Sequence, residues 1–157
     1  VKADHILHRF YTAANDPVFY DTSREGRLNA PDGGYGVLYA AQMLDGAFAE
    51  TFLRTPGRRM VDPALLSRKA YVRLRTTRKL TFVHLDGPGL ARVGATAEVV
   101  HGGLPYDLSQ AWSAALHALP FDGIAYSSRH DPHQTCYAIF DRAKDGVREH
   151  RSEEHTS

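Results

Sequence analysis

The sequence is short of most features that mark a secreted, membrane-embedded or disulfide-stapled protein. It has one cysteine, Cys136, which cannot form an internal disulfide. Its N-terminal residues lack the charged, apolar, then small-residue order of a secretory leader, so a reducing cytoplasm is the expected compartment. No apolar run approaches the roughly 20 residues that span a bilayer, and no membrane association is expected. Charge of one sign is not in excess either. The 19 Lys and Arg face 18 Asp and Glu, a formal +1, which does not support sustained nucleic-acid binding. A G-x-S-x-G, a P-loop and a G-x-G-x-x-G opening a helix are all missing. Three familiar enzyme classes thereby lose their simplest support.

What is present suits a globular enzyme. A chain of 157 residues, 43% hydrophobic and 24% charged, can bury a sizeable core in one domain. That domain is expected over residues 1–150, with incomplete ends. The tail RSEEHTS, Arg151 to Ser157, matches a translation of the start of a common sequencing adapter. It is expected to be read-through and is set aside.

Punctuation and periodicity map the elements. HRFYTA (8–13), VLYAA (37–41), YVRLR (71–75), LTFVHL (80–85), GIAYSS (123–128) and TCYAIFD (135–141) read as strands, the last two as apolar central ones. NAPDGGYG (29–36) is a loop, GPGLARVGA a loop with some helix, and RTPGRRMVDPALLSRK a connection with about one helical turn. Asp45 is placed to cap a helix running through Phe48, Glu50 and Phe52 to about Leu53. In YDLSQAWSAALHAL, Leu108, Trp112, Leu116 and Leu119 form an apolar helical stripe. Asp107 with Gln110 resembles a capping box, which puts Ser109 in the first turn. Strands and helices mix without strict alternation, so the expected class is α+β.

Among residues able to do chemistry, the basic ones concentrate between Arg54 and Lys79, where Asp62 is the only acid. Strand periodicity puts Tyr71, Arg73 and Arg75 on one face of YVRLR. Two readings stay open: a solvated sheet face, or a surface for phosphates, nucleic acid or an acidic protein. In HDPHQTC, convergence of His130, His133 and Cys136 on one ion would need a special turn around Pro132, so no metal is expected. A scattered set remains: Arg9, Arg27, Tyr39, Glu50 and Ser109. On helical geometry Glu50 points about 160 to 200° from Phe48 and Phe52, which by itself favours solvent.

Five blocks, in order, are similar to the RES domain family, the toxin half of RES–Xre toxin–antitoxin pairs. They are HRF; REGRLNAPDGGYGVLYAAQMLDGAFAETF; YDLSQAWSAALH; FDGIAYSSRHDP; and CYAIFDRA, together spanning about His8 to Asp141. The resemblance puts the family's Arg, Glu and Ser on Arg9, Glu50 and Ser109, as catalytic residues. It makes Arg27, Tyr39 and Phe10 residues that bind NAD⁺. Phe10 and Tyr11 follow Arg9 where the family often has a Tyr first, and Leu28 stands in place of its usual aromatic.

The resemblance implies an ADP-ribosyltransferase-like α+β fold, a mixed sheet core with flanking helices. It further implies cleavage of the nicotinamide–ribose bond of NAD⁺ with transfer of ADP-ribose to inorganic phosphate, or alternatively to a protein. An Xre-type antitoxin is the implied partner. The residue types suit the task. Arginine forks match phosphate oxygens bidentately. Ser109 in a first helical turn can meet an anion with hydroxyl and backbone N–H, and a desolvated carboxylate stabilises a developing oxocarbenium ion. Arg73 or Arg75 is a further possible holder of the incoming phosphate. A reading of another class is a non-catalytic nucleic-acid-binding module using the basic 54–79 segment.

Overall fold

The computed structural model describes residues 1–53, 61–86, 91–92, 94, 98–102, 104–128, 131 and 133–151. Arg54, Arg58, Arg59, His130, Pro132, most of GPGLARVGA and the last six residues of the adapter-like tail lie outside the described residues.

Seven strands form one sheet: β1 (Ile6–Thr12), β2 (Val37–Ala41), β3 (Lys69–Thr76), β4 (Phe82–His84), β5 (Gly123–Ser127), β6 (Thr135–Phe140) and β7 (Val147–Glu149). Their order is β4-β5-β6-β2-β1-β3-β7. The β4–β5 pair is parallel and the other pairs are antiparallel. Helices among the described residues include α1 (Leu44–Phe52), α2 (Pro63–Arg68), α3 (Glu98–His101) and α4 (Asp107–His117), with a 3-10 turn at Asp141–Gly146. The class is α+β, as expected.

The central strands read as apolar runs because both faces of the sheet are buried. On one face Val37, Ala41, Ile124, Tyr126, Cys136, Ala138 and Phe140 join Ala47 of α1, Val99 and Val100 of α3 and Leu116 of α4. On the other, Leu38, Ala40, Ala125, Tyr137 and Ile139 join Leu7, Val72, Leu74 and Ala143. Each fully buried Leu or Ile side chain contributes roughly 1.5–3 kcal/mol. Strand β3 alternates as anticipated, with Val72 and Leu74 buried and Tyr71 and Arg73 exposed.

Two helical expectations need correction. Asp45 does not cap α1: the N-cap position is Met43, without a side-chain hydrogen bond, and Asp45 lies in the first turn. On α4 only half of the expected stripe faces the core: Leu116 is buried in it and Trp112 packs against it. Leu108 and Leu119 are exposed, and the buried residues are Ser109, Gln110, Ser113 and Leu116. The reason is hydrogen bonding to the loop before β2. Gln110 Nε2 donates to the carbonyl oxygens of Arg24 (2.9 Å) and Gly26 (3.1 Å). Ser113 Oγ donates to that of Leu28 (2.6 Å) and meets the Tyr35 hydroxyl at 2.8 Å. Gln110 is therefore spent on the loop, and no capping box forms with Asp107. Ser109 does stand in the first turn.

Candidate active site

The site lies where β1 and β2 part company. Their ladder places His8 opposite Ala41, and past that pair Arg9 to Thr12 of one strand and Val37 and Tyr39 of the other line a cleft of about 460 Å³. That size falls within the roughly 300–1,000 Å³ of small-molecule sites. Arg9 spans the parting. Its Nε donates to the Pro17 carbonyl at 3.1 Å and its Nη1 to the Tyr39 carbonyl at 2.8 Å. Burial pulls its pKa down to about 10, against the pull of Tyr20 and Asp21, so it stays a cation at neutral pH.

Tyr39 contributes its ring to the lining, and its hydroxyl is committed. It donates to Asn29 Oδ1 at 2.7 Å and accepts from the Leu28 N–H at 2.9 Å. Asn29 in turn donates from Nδ2 to Asp21 Oδ2 (3.1 Å) and to the Ser23 carbonyl (2.9 Å). Burial pushes the Tyr39 hydroxyl well above its ordinary pKa, so it remains a neutral hydrogen-bonding group. This network needs a glycine at 26. A Cβ there would lie 2.1 Å from Asn29 Oδ1 and 2.7 Å from the Tyr39 hydroxyl.

Arg27 lines the same cleft. Its Nε donates to the Gly102 carbonyl at 2.8 Å, and its guanidinium sits 5.3 Å from the centroid of the Tyr106 ring, a cation–π arrangement. Phe10 also lines the cleft. It meets Phe48 and Phe52 of α1 edge-on, with centroids 5.9 and 5.1 Å away.

Glu50 lines the cleft as well, and its Oε1 is buried with no hydrogen-bond partner among the described residues. The solvent-facing expectation from the two phenylalanines is therefore corrected. The residues that α1 buries are Gly46, Ala47 and Phe52, so the helix meets the sheet through its small residues as well as its aromatic end. Glu50 follows Gly46 and Ala47 at the i+4 and i+3 positions, on the same side. Gly46 permits the approach: a Cβ there would come within 3.0 Å of Gln134 Oε1 and 3.4 Å of the Ala41 Cβ. A small cavity of about 50 Å³ adjoins Glu50, shared with Tyr126 and Cys136. Burial first, and then the charge of Glu50 among nearby groups, pushes the Tyr126 hydroxyl and the Cys136 thiol up, so neither is ionised at neutral pH.

Arg9, Phe10, Arg27, Tyr39 and Glu50 thus line one cleft. Ser109 is 3% exposed in the first turn of α4 and is not among the lining residues. Arg73 and Arg75 do not line it either, whereas Lys69 of β3 does. Asp21, Tyr106 and Tyr126 line it too and were not singled out in the sequence. Tyr126 carried one signal, a polar-tipped ring in an otherwise apolar strand. Asp21 and Tyr106 sit in loops, where no periodicity points.

Such a cleft offers two arginines for an anion, flat aromatic surfaces, and a carboxylate with an unmet demand for a positive or hydrogen-bonding partner. Comparison with solved structures finds a toxin–antitoxin complex, MbcT–MbcA from M. tuberculosis, at a TM-score of 0.74 and 16% identity. The match covers 96% of this chain and 84% of that one, a likeness of fold. No curated protein matches the sequence. The RES domain family model matches residues 2–157, nearly the whole sequence, and the protein belongs to the RES domain family.

Proposed function

We propose that this RES domain is a toxin that cleaves the nicotinamide–ribose bond of NAD⁺ and transfers ADP-ribose to inorganic phosphate. The observation that carries the reading is Glu50, whose Oε1 is buried with no hydrogen-bond partner among the described residues, in a cleft that two arginines also line. NAD⁺ supplies what each group lacks. Its pyrophosphate is an anion for the remaining N–H groups of Arg9 and Arg27. Its ribose becomes cationic as the C1′–N bond breaks and the bonding electrons leave with nicotinamide. A desolvated carboxylate stabilises that charge more than water does. A phosphate oxygen then attacks C1′, giving ADP-ribose 1″-phosphate and neutral nicotinamide. Tyr39 and Phe10 offer ring faces to the bases, the Tyr39 hydroxyl being already engaged.

The test is NAD⁺ turnover with and without phosphate, using label on the ADP-ribose half. Phosphate-dependent loss of NAD⁺ with no labelled protein is expected, and labelled protein would favour a protein acceptor instead. Glu50→Ala is expected to remove roughly 2–4 kcal/mol of transition-state stabilisation. Unchanged turnover in that variant would remove Glu50 from the mechanism. An antitoxin as partner is supported by the likeness to the MbcT–MbcA toxin–antitoxin complex, and its Xre type follows from the family resemblance alone. A cytoplasmic setting, where NAD⁺ is held, goes with this reading. No helix among the described residues is long and apolar enough to cross a membrane.

A further inference from the structure

Outside the cleft, the structure resolves part of the basic segment into a track. Val72, Leu74 and Thr76 are buried on one face of β3, so Lys69, Tyr71, Arg73 and Arg75 share the other. Tyr71 and Arg73 are exposed, and the Arg75 side chain keeps 40% of its surface. The register extends the track sideways: Arg73 lies opposite His8, and Arg75 lies opposite Arg148 of β7, also exposed. Lys69, at one end, lines the cleft.

We propose that this face of β3 and β7 docks an extended, acidic polypeptide segment that leads to the mouth of the cleft. Like charges directly opposite in a ladder are destabilising, and Arg75 and Arg148 are such a pair. The acid near them, Asp4, is 3.8 Å from Arg75 with a side chain 80% exposed, a weakly compensating contact. Glu149 follows Arg148 but lies opposite Leu74, on the other face. Repulsion is also felt at His8, whose pKa is lowered by burial and then by Arg73. An anionic partner relieves all of this.

The spacing names the partner. Alternate side chains of a strand stand about 6.8 Å apart, so the track from Lys69 to Arg75 is about 20 Å long. An extended chain with Asp or Glu at every second position repeats at the same interval. Between the cations, Tyr71 and His8 stack with centroids 5.9 Å apart and join through the Tyr71 hydroxyl and His8 Nδ1 at 2.6 Å. They form a flat surface for the methylene stems of such a chain. A formal charge of +1 over the whole sequence disfavours a nucleic acid, whose binding grows with the number of phosphates neutralised.

The probe is a fluorescent peptide of alternating Glu and Ser, about ten residues long, titrated against the full chain by anisotropy at low and physiological salt. Arg73→Glu, Arg75→Glu and Arg148→Glu are each expected to weaken binding at least about fivefold. Lys144→Glu, an equal charge change on the exposed 3-10 turn, is expected to change it less than about twofold. Arg73→Gln gives the same ranking if a reversal disturbs folding, which circular dichroism reports. Absence of peptide binding, or equal effects of all four reversals, would overturn the proposal. So would tighter binding of a single-stranded oligonucleotide of equal charge through the same arginines. None of these readouts depends on NAD⁺ turnover.

Discussion

Arg9 is joined to Tyr39 by a 2.8 Å hydrogen bond from guanidinium to main-chain carbonyl, across the point where their strands separate. The same guanidinium also holds the Pro17 carbonyl. Arg9 thus fixes the mouth of the cleft as well as lining it. Lysine keeps the charge but not the fork. Arg9→Lys is therefore expected to lower stability by about 1–3 kcal/mol, read by urea unfolding, and to weaken NAD⁺ binding, read by calorimetric titration. Wild-type stability in that variant would mean that the two carbonyl contacts are not needed.

Gly26 touches the same structure from the other side. Its replacement by alanine drives a methyl group into Asn29 and the Tyr39 hydroxyl, breaking a buried network. A loss of about 1–3 kcal/mol is expected. Tyr39→Phe, which strands the Leu28 N–H, should cost a similar amount by losing the hydroxyl alone. Agreement between the two thermal-melt shifts would identify the network as the common cause.

Glu50 should show opposite effects on stability and activity. A buried carboxyl oxygen with no hydrogen-bond partner among the described residues is costly in the free protein. Glu50→Gln, similar in shape and neutral, is expected to leave stability unchanged or to raise it by up to about 2 kcal/mol while turnover falls. A loss of both would show that the carboxylate is structurally required.

Ser109 separates family expectation from geometry. It is buried on the face of α4 that holds the 24–28 loop, outside the lining of the cleft. Ser109→Ala is expected to leave the KM for NAD⁺ within about threefold, and Gln110→Ala, which frees the loop carrying Arg27, to raise it more. A large fall in kcat for Ser109→Ala with unchanged stability would instead give its hydroxyl a direct role.

His117 provides a pH dependence. Its ring stacks on Tyr35 with centroids 3.8 Å apart, and burial, followed by the charge of Arg142, lowers its pKa below 6.5. The unfolded chain then binds the proton more readily than the folded one. Stability is full above about pH 6.5 and falls as the pH drops below it, toward the folded-state pKa. His117→Phe should flatten that part of the stability profile in denaturant titrations at pH 5 to 8. An unchanged slope would place the acid sensitivity elsewhere, for instance at His8, which shifts the same way.

Much of the fold was legible because local rules and tertiary structure agreed. VLYAA is β2 over the same five residues, and β3 alternates because one of its faces packs on a core. The ordered family blocks, rather than periodicity, picked out Arg9, Phe10, Arg27, Tyr39 and Glu50, which line one cleft, together with Ser109, which does not. On α1 the aromatic residues suggested one core face, and Phe52 is indeed buried, but Gly46 and Ala47 are buried too and bring Glu50 to the cleft. On α4 the stripe suggested another, and Trp112 and Leu116 meet the core while Gln110 and Ser113 bind the neighbouring loop and Leu108 and Leu119 stay exposed.

The amino-acid sequence by itself determined the α+β class and six of the seven strands, missing the short β7, and grouped Arg9, Arg27, Tyr39, Glu50 and Ser109 as one candidate set. Only the tertiary structure decided which faces of the two helices are buried, that Glu50 lines the cleft while Ser109 does not, and that the cations of β3 meet Arg148. Hydrophobic periodicity records how much apolar surface an element carries. Close approach over small residues and hydrogen bonds to distant loops decide where that surface goes, and both depend on partners far away in the chain.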